Sequence, residues 1–128
     1  MDARLSRGMV RYYDLAGMLV DDSVEMLLAV DHSTPIGCGF ARLETAKAHL
    51  RHRDEAYLGL MYVDPDFRGR GVNRQLLDHL IQWCRLKGVL ELRLEVYAGN
   101  QPALRAYEKA GFSGSLVEMR MTLPDKPA

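Results

Sequence analysis

Residues 57–98 constrain the fold more than any other stretch. Tyr57 to Val63 is apolar at almost every position, so it reads as a strand covered on both faces. The run stops at Asp64 and Pro65, and a short turn carries Arg68, Gly69, Arg70 and Gly71. From Val72 to Lys87, Leu76, Leu77, Leu80, Ile81 and Cys84 form one apolar stripe at helical spacing, with Gly88 placed to end the helix. Leu90 to Ala98 then alternates. Leu90, Leu92, Leu94 and Val96 face one way, and Glu91, Arg93, Glu95 and Tyr97 the other. A strand, a helix and a strand of these lengths predict a right-handed crossover joining two parallel strands.

The flanks extend this unit. Leu5, Met9, Tyr12, Tyr13, Ala16 and Leu19 recur at helical spacing, which predicts a helix over about 4–20, interrupted by Gly8 and Gly17. Met26–Val30 and Ile36–Leu43 are apolar runs around a segment dense in turn formers, an antiparallel hairpin. Residues 44–55 are polar and basic and read as a solvated loop. Asn100 is a good N-cap, Pro102 fits a first helical turn, and Gly111 closes that helix. Leu116–Leu123 reads as a last strand. The whole is an α/β fold with a mixed, partly antiparallel sheet flanked by helices, expected as one domain over 1–128.

Composition narrows the function classes. A chain of 128 residues supports one real core, and 48% hydrophobic with 27% charged residues is the balance of a globular protein. Formal net charge is zero, so no broad field attracts nucleic acid or an anionic membrane; the basic cluster at 47–53 is local. Cys38 and Cys84 lack CxxC or metal-like spacing and read as core thiols of a reducing compartment, with no metal site expected. No apolar run approaches the roughly 20 residues of a membrane span, and the first residues lack the apolar core of a leader peptide. A cytoplasmic location is the expectation.

The turn at 68–73 carries the chemical signal. A strand feeding a glycine-bearing loop at a helix start presents free N–H groups and the positive end of the helix dipole to an anion. Arg68 and Arg70 add charge there. An ordinary strand–turn–helix link has the same spacing. The pattern is neither G-x-x-x-x-G-K-[ST] nor G-x-G-x-x-G, which excludes the two common nucleotide loops.

Four segments, in order, resemble the GNAT superfamily of acyl-CoA-dependent N-acetyltransferases over about residues 24–123. They are the hairpin Met26–Asp31 with Ile36–Arg42; the stretch Met61–Val72, similar to the family's strand and its [Q/R]-x-x-G-x-[G/A] pyrophosphate loop; Leu92–Val96; and Asn100–Phe112, similar to N-x-x-A…Y-E-K-x-G-F. The resemblance implies acetyl-CoA as co-substrate, an amine acceptor, and direct attack in a ternary complex. It implies that Arg68, Gly69, Arg70, Gly71, Val72 and Asn73 wrap the pyrophosphate. It implies that the pantetheine arm lies along Met61, Tyr62 and Val63 as an added strand, which requires a bulge near Met61. Asn100 and Ala103 would meet the same arm, Asn100 either as a cap alone or also as a contact. Tyr107 would protonate the leaving thiolate; without the resemblance, a packed aromatic on the apolar side of its helix is the preferred reading.

The chain departs from this pattern in three places. Asn73 stands where the family has Gly or Ala; it is expected to cap the helix or touch phosphate. Gly59 stands where many relatives carry a glutamate base, which leaves Glu44, His49, His52, Asp54, Glu95 or a water chain as candidates and implies room for a larger acceptor. The amino-terminal part reads as short, with the first strand absent, and this favours a homodimer. Acceptor choice would lie with loops around 44–56 and 111–118, where Glu44, Asp54, Glu55 and Glu118 could attract a cationic amine. A non-catalytic acyl-CoA-binding module is the alternative, and nucleic-acid binding has little support.

Overall fold

The computed structural model describes residues 5–7, 10–15, 22–47 and 52–126. The chain divides into two compact units, Met1–Glu95 and Val96–Ala128.

The first unit is built on a six-stranded sheet in sequential order: β1 Leu5–Arg7, β2 Val10–Asp14, β3 Val24–Asp31, β4 Thr34–Lys47, β5 His52–Val63 and β6 Glu91–Arg93. Neighbours are antiparallel except β5 and β6, which are parallel, as the crossover requires. Helix α1, Val72–Leu86, makes the connection and packs on β3, β4 and β5. Its stripe is Val72, Leu76, Leu77, Leu80 and Cys84, each 3% exposed or less. The facing strands contribute Leu27, Ala29, Ala41, Ala56 and Leu58. On β4, a Cβ built on Gly37 would stand 2.9 Å from Tyr62 O and one on Gly39 2.5 Å from the Met61 sulfur, both on β5, while Val72 Cγ1 and Leu80 Cδ1 of the helix stay at ordinary contact distance. Burying one such leucine contributes about 1.5–3 kcal/mol.

The amino-terminal helix is not formed where the structure describes this segment. Residues 5–7 and 10–14 are strands β1 and β2, and 16–20 lie outside the described residues. Val10, Tyr12 and Asp14 share one face by alternation, and Tyr12 is 1% exposed. Pairing with β3, Tyr12 opposite Ala29, overrode a helical spacing that adjacent tyrosines had mimicked. The strand expected to be missing before the hairpin is therefore present as β2.

Where it is described, the segment 44–55 is strand and not solvated loop. β4 continues to Lys47 and β5 begins at His52, with Glu44 opposite Glu55. Residues 48–51 lie outside the described residues. Neither cysteine is in a disulfide. Burial pushes the Cys84 thiol up to about 11 and raises that of Cys38 as well.

The second unit contains helix α2, Gln101–Ala110, capped by Asn100, whose Oδ1 accepts from the Ala103 N–H at 3.3 Å. Gly111 ends it at φ 115°. The last strand is not formed. Residues 112–124 belong to no helix or strand, and Leu116, Val117, Met119, Met121 and Leu123 are all more than two-thirds exposed. Alternation alone does not make a strand without a ladder partner. For the same reason β6 covers Glu91–Arg93 and not the whole of 90–98.

Candidate active site

β5 carries an irregularity near Met61, where the resemblance implied one. On β4, Cys38 and Phe40 are two apart, but their partners Tyr62 and Gly59 are three apart. The extra residue is a bulge at Leu60–Met61 in β5. Its effect is a change of face. Ala56 and Leu58 point to α1 before it, and Met61, whose sulfur covers Gly39, and Val63 do so after it. The parallel ladder with β6 stops at Tyr57 opposite Arg93. From Leu58 onward no strand among the described residues pairs with that side of β5, so its main chain is open to an added strand.

The turn after β5 is fixed at both ends. The Asp64 N–H donates to Ile36 O at 2.6 Å, and the Asp64 carboxylate accepts from the Asp66 N–H at 2.9 Å. Arg68 Nε donates to Val63 O at 2.9 Å, and its guanidinium lies 5.7 Å from the Tyr62 ring. Arg70 lies over Phe67 at 5.0 Å. Gly69 and Gly71 have φ of 77° and 81°, a region that disfavours any side chain. Gly71 is the N-cap of α1 and makes no side-chain cap. The first-turn amides of Val72, Asn73 and Arg74 therefore have no acceptor in the helix or from a capping side chain. Asn73 lies inside the first turn, so it does not cap; Gly71 occupies that position.

The opposite face of β4, β5 and β6 holds a charged lattice around one tyrosine. Tyr57 has the Arg93 guanidinium 4.6 Å and the Arg42 guanidinium 5.4 Å from its ring. Arg93 reaches Glu44 and Glu55 at 2.7 Å each, and Arg42 reaches Glu44 at 2.7 Å. The arginines, Arg42 first, hold the Glu44 carboxyl below the usual range. The Tyr57 hydroxyl donates to Glu95 Oε1 at 3.3 Å. Burial, then the Glu95 charge, raises the Tyr57 pKa.

Gly59 lies on this same face, and it does not leave space. A Cβ there would stand 2.6 Å from Phe40 Cζ and 3.1 Å from Tyr57 Cε2. The two rings occupy the position where a glutamate was expected, so the inference of room for a larger acceptor is corrected: the glycine seats Phe40.

A model of the acetyltransferase (GNAT) family matches residues 3–112. The chain belongs to the GNAT family. Three comparisons illustrate the relationship. The [ribosomal protein bS18]-alanine N-acetyltransferase of Salmonella typhimurium is 47% identical over 64 residues, 50% of this chain and 43% of that protein. The mycothiol acetyltransferase of Propionibacterium freudenreichii is 37% identical over 107 residues, 84% of this chain and 33% of that protein. The chain thus spans less than half the length of either relative. The structure of a predicted acetyltransferase from Clostridium acetobutylicum with acetyl-CoA shares the fold at a TM-score of 0.67 and 17% identity, covering 84% of this chain and 70% of that one.

GNAT enzymes use acetyl-CoA as co-substrate, and the residues expected to meet it divide between the units. Met61, Tyr62, Val63, Arg68, Gly69, Arg70, Gly71, Val72 and Asn73 are brought together in the first unit by the bulge and the turn. Val72 is 3% exposed, which leaves its main chain as its means of contact. Asn100, Ala103 and Tyr107 are brought together in the second, on α2. Tyr107 packs edge-on against Phe112 at 5.9 Å. Of the base candidates, His49 and the His52 side chain lie outside the described residues. Asp54 alternates onto the opposite face from Gly59, and Glu44 is held by two arginines. The lattice of Phe40, Arg42, Tyr57 and Arg93 was missed in the sequence; the shared parity of Tyr57 and Gly59 was its one local signal. Among the described residues no cluster could hold a metal ion, and no helix is long and apolar enough to cross a membrane.

Proposed function

We propose that this chain transfers the acetyl group of acetyl-CoA to a primary amine by direct attack in a ternary complex, as one catalytic domain over 1–128. The observation that carries the reading is the continuous run of β5 from its open side, through the bulge at Leu60–Met61, to the uncapped glycine-lined start of α1. The open main chain of Met61, Tyr62 and Val63 suits the amide arm of the co-substrate. The first-turn amides with Arg68 and Arg70 suit its pyrophosphate. Ala103 is assigned to the arm, Asn100 acts first as the cap of α2, and Tyr107 donates a proton to the leaving thiolate.

Glu95 takes the proton of the attacking amine. What supports it is its bond to Tyr57 on the face that Gly59 shares, while Glu44 is held by two arginines and Asp54 alternates onto the other face. The amine nitrogen bonds to the carbonyl carbon, the carbon–sulfur bond breaks, the ammonium proton passes to Glu95, and the thiolate is protonated by Tyr107. The alanine acceptor named for the Salmonella relative supports an α-amine as substrate. At a pKa of about 7.7–8.0 such an amine needs only a weak base. A cytoplasmic site of action fits this use of acetyl-CoA. Among the described residues no strand pairs with the outer side of β1, which supports a homodimer; a solution mass of 14.5 kDa by light scattering would refute it.

The test is thiol release from acetyl-CoA against a panel of alanine-terminated peptides, small amines and lysine peptides. Turnover with an amine, reduced by at least about tenfold in Tyr107→Phe with acetyl-CoA affinity kept, supports the reading. Tight acetyl-CoA binding with no thiol release for any amine replaces it with a binding module.

A further inference from the structure

We infer that Tyr57 is a positioning residue for proton removal, holding the Glu95 carboxylate through its hydroxyl, in a seat that Gly59 makes possible. The inference rests on the assignment of Glu95 as the base.

The geometry carries it in three steps. First, the Tyr57 ring is fixed from several directions. Guanidinium groups of Arg93 and Arg42 lie 4.6 and 5.4 Å from its centre, and Phe40 lies at 6.1 Å in a tilted arrangement. Both arginines are in turn anchored on Glu44, and Arg93 also on Glu55. Second, Gly59 permits this: the Phe40 and Tyr57 rings lie where any Cβ at that position would intrude. Third, the hydroxyl of the fixed ring is bonded to Glu95, which is itself exposed and two residues beyond the end of β6. An exposed carboxylate past a strand end has rotamers to lose, and a rigid donor selects among them. The glycine that removes the usual base is thus coupled to the tyrosine that orients its replacement.

Tyr57→Phe keeps the ring and its packing while deleting the donor, so it isolates the hydroxyl. Three variants are compared for thiol release with a responsive amine: Tyr57→Phe, Glu95→Gln and the double variant, each checked for an unchanged melting profile. Tyr57→Phe is expected to lower kcat about tenfold with KM for acetyl-CoA unchanged. The double variant is expected to be no slower than Glu95→Gln alone, because a residue acting through another adds nothing once that other is gone. A separate readout needs no turnover. The hydroxyl of Tyr57, followed by 13C-tyrosine NMR and assigned with Tyr57→Phe, should ionise at lower pH in Glu95→Gln. Full activity in Glu95→Gln would overturn the base assignment and this inference together. A slow Glu95→Gln with either an unaffected Tyr57→Phe or a multiplicative double variant would overturn the positioning role alone. An unmoved Tyr57 titration would overturn the pairing itself.

Discussion

The two helices begin in opposite ways. α1 starts at Gly71 with no capping side chain, two arginines just upstream and amides left unsatisfied. α2 starts at Asn100, whose side chain satisfies the Ala103 amide, with Pro102 in the first turn. A helix start that caps itself has used its hydrogen-bonding capacity for stability. One that does not leaves those amides for an acceptor outside the helix. What holds α1 in place instead is its apolar stripe: Val72 in its first turn is 3% exposed, whereas α2 has no buried residue.

Reversing the contrast gives the largest expected effect. Gly71→Asp puts a negative charge where the pyrophosphate is proposed to bind, with Gly71→Asn as the control for a side chain at φ 81°. Acetyl-CoA affinity should fall roughly hundredfold or more, measured by calorimetry, because the carboxylate competes for the same amides. Unchanged affinity would mean that α1's start is an ordinary uncapped helix.

Asn100→Ala should act mainly on stability, by about 1 kcal/mol, read from denaturant unfolding. A loss of acetyl-CoA affinity greater than a few fold in the folded variant would show that Asn100 also touches the arm. The contrast between a self-sufficient and a receptive helix start would then weaken.

A separate effect is read in titration, under the sheet face that α1 covers. Glu25 on β3 is bonded to Asp14 on β2, and burial first, then Asp14, pushes its pKa from 4.5 up to about 8. The raised value fixes the sign. The contribution to folding is present below pH 4.5 and is lost as pH rises through 8. Glu25→Gln should therefore flatten the fall in melting temperature between about pH 5 and pH 9. An identical slope in variant and parent would remove the pair from the pH response.

Much of the first unit was legible because its signals are local. The α1 stripe, the glycines at 69, 71 and 88, and the hairpin each depend on neighbours within one turn or one strand. The bulge near Met61 was also anticipated, through the family's need for an open strand, and the register shift is there. The failures have a common cause. Tyr12 became a strand residue because Ala29 lay opposite, and Gly59 proved filled because Phe40 reaches it from β4. Glu95 gained its partner from Tyr57, 38 residues earlier. Each depends on a pairing that no periodicity encodes. Leu116–Leu123 failed in the other direction: its alternation is clean, but no ladder takes it up among the described residues.

The bulge in β5 gives the strand something like a reading frame. Side chains alternate, so the one extra residue reassigns every position after it, and even-numbered residues face α1 before the bulge while odd-numbered ones do so after it. Replacing Leu60 changes a side chain; deleting it removes the bulge. Met61 would then pair directly with Gly39, and Tyr62 and Val63 would keep their faces and their partners Cys38 and Gly37, so the loss would fall on the local break in the strand and not on the core. The length of this strand is thus as much a determinant of the site as the identity of its residues.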